Sequence, residues 1–309
     1  MNKKLFLAIA ALAPLACFAS LEKKVEKSFP VTPGGQLKVN VCKGGIEVLP
    51  SKDNEVKLIL VEKLDVDNDE EAQKALEDYN FSFTQEGNEV LIVAKTKSAT
   101  GIFSGLRNNK VQLGWKLTIP EKFNINLNTA GGSIHVGDLQ GNVKVDTSGG
   151  SIHIGNIVGP VDADTSGGSI RLDSSTDKTR LDTSGGSIAA GTLKAASVLD
   201  TSGGSISVKS AEAALKADTS GGSIDVNAPA PLKGDIKLDT SGGSIHFRTG
   251  DAAAFDLEAE SSGGRVANEF ALSSTKVNKR DHVEGQVNGG GPKVSLDTSG
   301  GSVHVDKLK

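Results

Sequence analysis

Aromatic side chains are scarce in this 309-residue chain: ten Phe, one Trp and one Tyr make up 4% of it. That excludes a large core built on ring packing, so the interior has to be filled by aliphatic groups. Long hydrophobic runs are missing except at the N-terminus, which excludes a polytopic membrane protein. An excess of charge is missing too. The 34 basic and 38 acidic residues leave a net charge of −4, with no strongly basic field to attract nucleic acid. Only two cysteines are present. Disorder is excluded by Val, Ile and Leu recurring at regular positions through most of the chain. Glycine is abundant, with 37 residues.

The N-terminus reads as an address. Lys3 and Lys4 form a short basic region, and Leu5 to Ala16 is an apolar run too short to span a bilayer as a helix. Cys17 and Ala19 are small residues at signal-peptidase spacing, so residues 1–19 are read as a signal peptide cleaved after Ala19. The alternative is a lipoprotein anchored at Cys17, against which Pro14 stands where a lipobox wants an aliphatic residue. Cleavage after Ala19 removes Lys3 and Lys4 and takes the net charge to −6. It also leaves Cys42 without an intramolecular disulfide partner.

An internal repeat dominates the rest. The segment Asp-Thr-Ser-Gly-Gly-Ser-Ile recurs with its first glycine at Gly149, Gly167, Gly185, Gly203 and Gly221, preceded by a variant at Gly131, each step being 18 residues. Two steps of 21 lead to Gly242 and Gly263, and the last copy is at Gly300, after a gap that can hold a degenerate coil around Val283–Gly290. Residues 35–48 form an early divergent copy. Within each repeat apolar residues alternate with polar ones, which predicts two short strands joined by Gly-rich turns. Eighteen residues leave no room for a helical crossover, so the coils are expected to stack in parallel. The fold class predicted is all-β: a β-solenoid over 124–309, preceded over 20–123 by a first coil and a small α+β cap. Ile134, Ile152, Ile170, Ile188, Ile206, Ile224 and Ile245 should form an inward column. In the cap, strands are expected at Glu55–Lys63 and Trp115–Pro120, a helix at Asn68–Tyr79, and a hairpin at Phe81–Gln85 and Glu89–Lys95. The chain is expected to end on the repeat at Val303–Lys309, with Lys307 and Lys309 discouraging further stacking.

The repeated polar residues define the candidate sites. Asp146, Asp164, Asp182, Asp200, Asp218 and Asp239, with Asp297 beyond them, occupy one outward position. At the coil spacing each adjacent pair repels by roughly 0.9 kcal/mol in water before salt screening. Three compensations are open: Asx turns that accept backbone N–H groups, pairing with Lys144, Arg180, Lys216 and Lys237 two residues earlier on the same face, and calcium held between coils. Calcium rolls carry a second acidic residue and a different glycine pattern, so the metal reading is the weakest, and no cofactor is assigned. The paired glycines read as turn residues, because no helix follows them to build a phosphate site. The Thr column from Thr147 to Thr240 should face inward as a hydroxyl ladder, which opposes an ice-binding array. His135, His153, His246 and His304 share one outward position, with only the first two on adjacent coils. No nucleophile, base and acid fall together, so no catalytic residue is named. The Gly/Ser/Asn-rich loop at 98–113 carries Ile102, Phe103 and Leu106 as a candidate partner-contact site.

Trp115 to Pro120, the segment Asn126 to Val136 and the serial Asp-Thr-Ser-Gly-Gly-Ser-Ile units resemble the bacterial putative-adhesin family of β-strand-repeat proteins, the Toastrack domains. The resemblance covers roughly residues 30–309 and implies a single-stranded, right-handed β-helix in an exported or membrane-anchored protein. It transfers no binding residues. The expected function is that of an exported, non-enzymatic protein presenting a repetitive surface to a cell, matrix or glycan, with no integral membrane span. Two alternatives stay open: a periplasmic scaffold or envelope-stress partner, as implied by some relatives, and a polysaccharide-active β-helix enzyme.

Overall fold

The computed structural model describes residues 21–66, 69–97 and 111–308. The expected signal peptide, the Cys17 anchor and the loop residues Ile102, Phe103 and Leu106 lie outside them. The chain alternates between two long sheets of fourteen strands each among the described residues. Ile152–Val158 belongs to one sheet, Val161–Thr165 to the other, and Ile170–Ser175 returns to the first. Successive strands within a sheet are parallel and in register, pairing Val143 with Val161, Val161 with Thr179 and Thr179 with Ser197.

The period-two pattern decides what goes inside. Ile134, Ile152, Ile170, Ile188, Ile206, Ile224 and Ile245 are all buried, facing Val145, Ala163, Leu181, Leu199, Ala217 and Leu238 of the second sheet. Aromatic side chains gather at the two ends of this aliphatic column. Trp115, Phe81 and Phe83 lie at one end, where the Trp115 indole N–H donates to the Lys43 carbonyl over 3.0 Å. Phe247, Phe255 and Phe270 stack edge to face at the other.

The turns explain the repeat's composition. The threonine of each unit is buried, and its Oγ1 donates to a glycine carbonyl one coil back, at 2.9 Å from Thr147 to Gly132 and 2.7 Å from Thr298 to Gly243. The same oxygen accepts from the glycine N–H three residues on, at 3.4 Å for Gly150. The serine after the glycines forms a second ladder: Ser133 Oγ accepts from Ser151 N–H at 3.3 Å, and Ser244 Oγ from Ser302 N–H at 3.1 Å. The second glycine of each pair lies against the turn below, where a Cβ on Gly150 would collide with the Gly132 carbonyl. The first glycine is looser: a Cβ on Gly149 would meet nothing within 4 Å.

Both ends depart from simple stacking. The first coil, Gln36–Val41 and Gly45–Ser51, is not outermost. Its strands lie between Asn124–Thr129 and Ile134–Val136 on one side and Glu89–Thr96 and Val111–Pro120 on the other. At the far end Phe255–Ser261 and Val266–Asn268 sit one coil beyond their place in the sequence. The last repeat, Lys293–Thr298 and Val303–Lys307, fills the level they leave open. The expectation that the chain ends on a terminal coil guarded by Lys307 is therefore corrected, since Val303–Lys307 is enclosed between Ile245–Thr249 and Val266–Asn268. The degenerate coil expected at Val283–Gly290 is corrected as well. His282–Val287 runs antiparallel between Phe255–Ser261 and Leu272–Asn278, because the chain must reverse direction to re-enter the stack.

At the N-terminal end Glu55–Leu64 and the Tyr79–Glu86/Glu89–Thr96 hairpin form as the sequence predicts. The helix is shorter, Asp69–Leu76, and Tyr79 opens the following strand. An unpredicted strand, Leu21–Pro30, forms the edge of its sheet beside Glu55–Leu64 and carries five charged residues, which opposes edge-to-edge association.

Because the last coil is internal in space, removing residues 292–309 should open two sheets at once. The truncated chain is expected to lose roughly 10 °C or more in melting temperature, or to become insoluble. A melt matching that of the full chain would contradict this placement.

Candidate functional site

The outward face of the sheet containing Val143–Thr147 carries the repeated charges. Asp146, Asp164, Asp182, Asp200, Asp218, Asp239 and Asp297 are register partners on consecutive strands. Parallel in-register strands lie about 4.8 Å apart, so the carboxylates form one continuous ladder. Among the described residues none of the seven accepts a backbone N–H, so Asx turns do not compensate the repulsion.

Cations do so unevenly. Arg180 reaches Asp182 at 2.8 Å, Asp162 at 3.4 Å and Asp164 at 3.9 Å. Lys144 pairs across coils with Asp162 at 3.3 Å, and Lys237 pairs with Asp239 within its own strand at 3.4 Å. Desolvation by burial pushes the Asp164 carboxyl above the usual aspartate range, reinforced by Asp182 and Asp146. Asp200 is raised by burial too, against the pull of Lys216, with Asp182 and Asp218 adding to the rise. Among the described residues no group of three or more His, Cys, Asp or Glu is arranged to hold a metal ion.

Beside the ladder lies a groove of about 790 Å³. It runs along the stack between two outward columns. The turn column is Asn142, Pro160, Lys178, Ala196, Ala214 and Asp235. The strand column, two residues further along each coil, is Lys144, Asp162, Arg180, Val198, Lys216 and Lys237. The cations of the strand column are legible in the sequence, whereas the groove that joins the two columns is not. The signal was there: Val198 is the one apolar residue in a column of charges, and its side chain is exposed.

The histidines form two pairs. His135 and His153 meet edge-on with ring centroids 5.0 Å apart. His246 and His304 stack at 4.6 Å, because the last coil enters beside Ile245–Thr249. The expectation that only the first pair lies on adjacent coils is thus corrected. Burial holds the His246 imidazole below its ordinary range, helped by His304 and Arg248. Cys42 is partly buried, and burial raises its thiol above the usual range.

The raised carboxyls have a sign that can be checked. A carboxyl whose folded pKa exceeds its unfolded value contributes most below the unfolded pKa, and that contribution is lost as pH rises through the folded value. Asp200→Asn should therefore stabilise the chain at pH 7, on the order of 0.5 kcal/mol after solvent screening, and the advantage should vanish near pH 3. Paired thermal melts at the two pH values decide this; a variant less stable at pH 7 would contradict it.

No curated protein matches the chain. Several solved structures do. A putative adhesin from Bacteroides fragilis is 14% identical, with 93% of this chain and 97% of that one covered and a TM-score of 0.41. A putative adhesin from Parabacteroides merdae is 10% identical over the same shares, with a TM-score of 0.42. A protein from Parabacteroides distasonis described as a putative lipid binding protein is 17% identical, again over 93% and 97%, with a TM-score of 0.44. The family described as Toastrack DUF4097 matches residues 37–306. That span takes in the first coil, the inserted last coil and every Asp-Thr-Ser-Gly-Gly unit, and the chain belongs to the Toastrack DUF4097 family.

Proposed function

We propose that the chain is an exported, non-enzymatic, right-handed β-solenoid of 18-residue coils whose repetitive face makes contact with a cell, matrix or glycan surface. The observation that carries this reading is the uniformity of that face. One residue type, Asp, holds one register position on seven consecutive strands. A catalytic centre needs dissimilar groups brought together at one place, whereas a repeated column offers the same weak contact many times, and avidity accumulates along it. The near absence of exposed rings among the described residues favours contacts through charge and backbone over sugar stacking. No helix among the described residues is long and apolar enough to cross a membrane, which fits a face presented outside the bilayer.

The test is amine labelling of intact cells with a membrane-impermeant reagent, alongside a periplasmic control protein. Lys144, Lys178, Lys216 and Lys237 are all exposed on the relevant face. Labelling while the control stays unlabelled is the expected result. Protection until the outer membrane is opened would contradict surface contact and point to a periplasmic scaffold.

A further inference from the structure

The groove beside the Asp ladder changes character at one level. On the coil of Ser197–Thr201 both of its columns turn apolar, with Ala196 in the turn and Val198 on the strand, and Ala214 extends the apolar floor by one coil. Val198 exposes 37% of its surface there, where the strands on either side carry Arg180 and Lys216. Two cations bracket this patch diagonally: Lys178 one coil before it and Lys216 one coil after it. They differ from the other cations of the groove. Lys144, Arg180 and Lys237 are engaged by carboxylates, whereas neither Lys178 nor Lys216 has an ion-pair partner within 4.0 Å among the described residues. Two coil steps separate them along the stack, about 9.6 Å, which two flexible lysine side chains can close around one small anion.

The surroundings narrow the class of ligand. A polyanion laid along the groove would run beside six aspartates of the ladder and be repelled over most of its length. A neutral sugar would find no aromatic ring lining the groove to stack on. A compact anion attached to an apolar body suits both halves of the patch. The groove is open along its length and offers about 790 Å³, its walls made largely by the carbon stems of its long side chains. The lining spans six coils from Asn142 to Asp235, on the order of 24 Å. The apolar level itself covers two adjacent coils, a step of about 4.8 Å, which is room for the first few methylenes next to a head group.

We propose that this groove binds one molecule of a monomeric anionic amphiphile, its phosphate or carboxylate head held by Lys178 and Lys216 and the methylenes next to the head on Ala196, Val198 and Ala214. Lys216 leaves its interaction with the Asp200 carboxylate to do so. The site goes beyond the surface-contact reading, and the cell-labelling result has no bearing on it.

Titration calorimetry of the mature chain with dodecyl phosphate, kept below its micelle concentration, tests the proposal. Saturable binding of one molecule per chain is expected. The double variant Lys178→Gln/Lys216→Gln should weaken it about tenfold or more, equivalent to about 1.4 kcal/mol. Val198→Asn should weaken it as well, and dodecyl maltoside, which keeps the chain but not the charge, should bind far less tightly. All three substitutions are on exposed positions, and thermal melts confirm that the variants remain folded. Absence of saturable binding would overturn the proposal, as would affinity unchanged in the double variant. Inorganic phosphate binding as tightly as dodecyl phosphate would reduce the site to a simple anion site. Flotation with phosphatidylglycerol vesicles without binding of the monomer would make the face a membrane-docking surface instead; each of these results contradicts a single-amphiphile groove.

Discussion

Everything in this molecule depends on how closely one turn can lie on the turn before it. The Gly-Gly-Ser segments approach so tightly that the second glycine has no space for a side chain. The hydrogen-bonding groups left by that approach are satisfied by side chains at fixed offsets: threonine hydroxyls donate to glycine carbonyls one coil back, and serine oxygens accept from the N–H groups of the next coil. Buried polar groups without partners are costly, so hydroxyl residues recur here as strictly as the glycines do. Once these contacts set the spacing, the other columns follow. Inward residues stack on their equivalents, and outward aspartates are brought into line although they repel. The ladder is a consequence of register, tolerated because backbone pairing on two sheets outweighs it.

A stack of this kind has exposed ends, and the two ends are closed in the same manner. At each one, a coil near the terminus of the chain lies inside a coil that comes from further along the sequence or from earlier in it. Gln36–Val41 and Gly45–Ser51 are covered by Glu89–Thr96 and Val111–Pro120, and Lys293–Thr298 and Val303–Lys307 by Phe255–Ser261 and Val266–Asn268. The outermost strands can then depart from the repeat. They carry the Phe81–Trp115 and Phe255–Phe270 ring contacts, the antiparallel pairings and the charged edge at Leu21–Pro30, all departures from the repeat. The terminal repeats are held on both sides, which protects the apolar column from fraying.

Much of this was legible in the sequence because a strand's faces alternate with period two and the repeat carries that alternation unchanged from coil to coil. The isoleucine column, the buried threonines and the outward aspartates all follow from parity. The order of coils in space was not legible. Spacing along a chain says which residues are equivalent, not which level each occupies, so the insertion of Lys293–Lys307 and the resulting His246–His304 stack needed the structure. The serine ladder is hidden for a related reason: Ser133 and Ser151 find their partners a full coil away in the chain. The groove lay in plain view as two columns four and two residues before each aspartate. Only the structure showed that they border one groove.

The account's central claim, that turn-on-turn contact governs the fold, is tested most directly by two adjacent alanine substitutions. Gly150→Ala places a methyl against the Gly132 carbonyl, whereas Gly149→Ala points one into open space. Comparing their unfolding free energies with that of the parent chain, Gly150→Ala should lose about 3 kcal/mol or more, or fail to fold. Gly149→Ala should change stability by less than about 1 kcal/mol. Equal effects at the two positions would show that the repeat keeps its glycines for some reason other than the close approach of its coils.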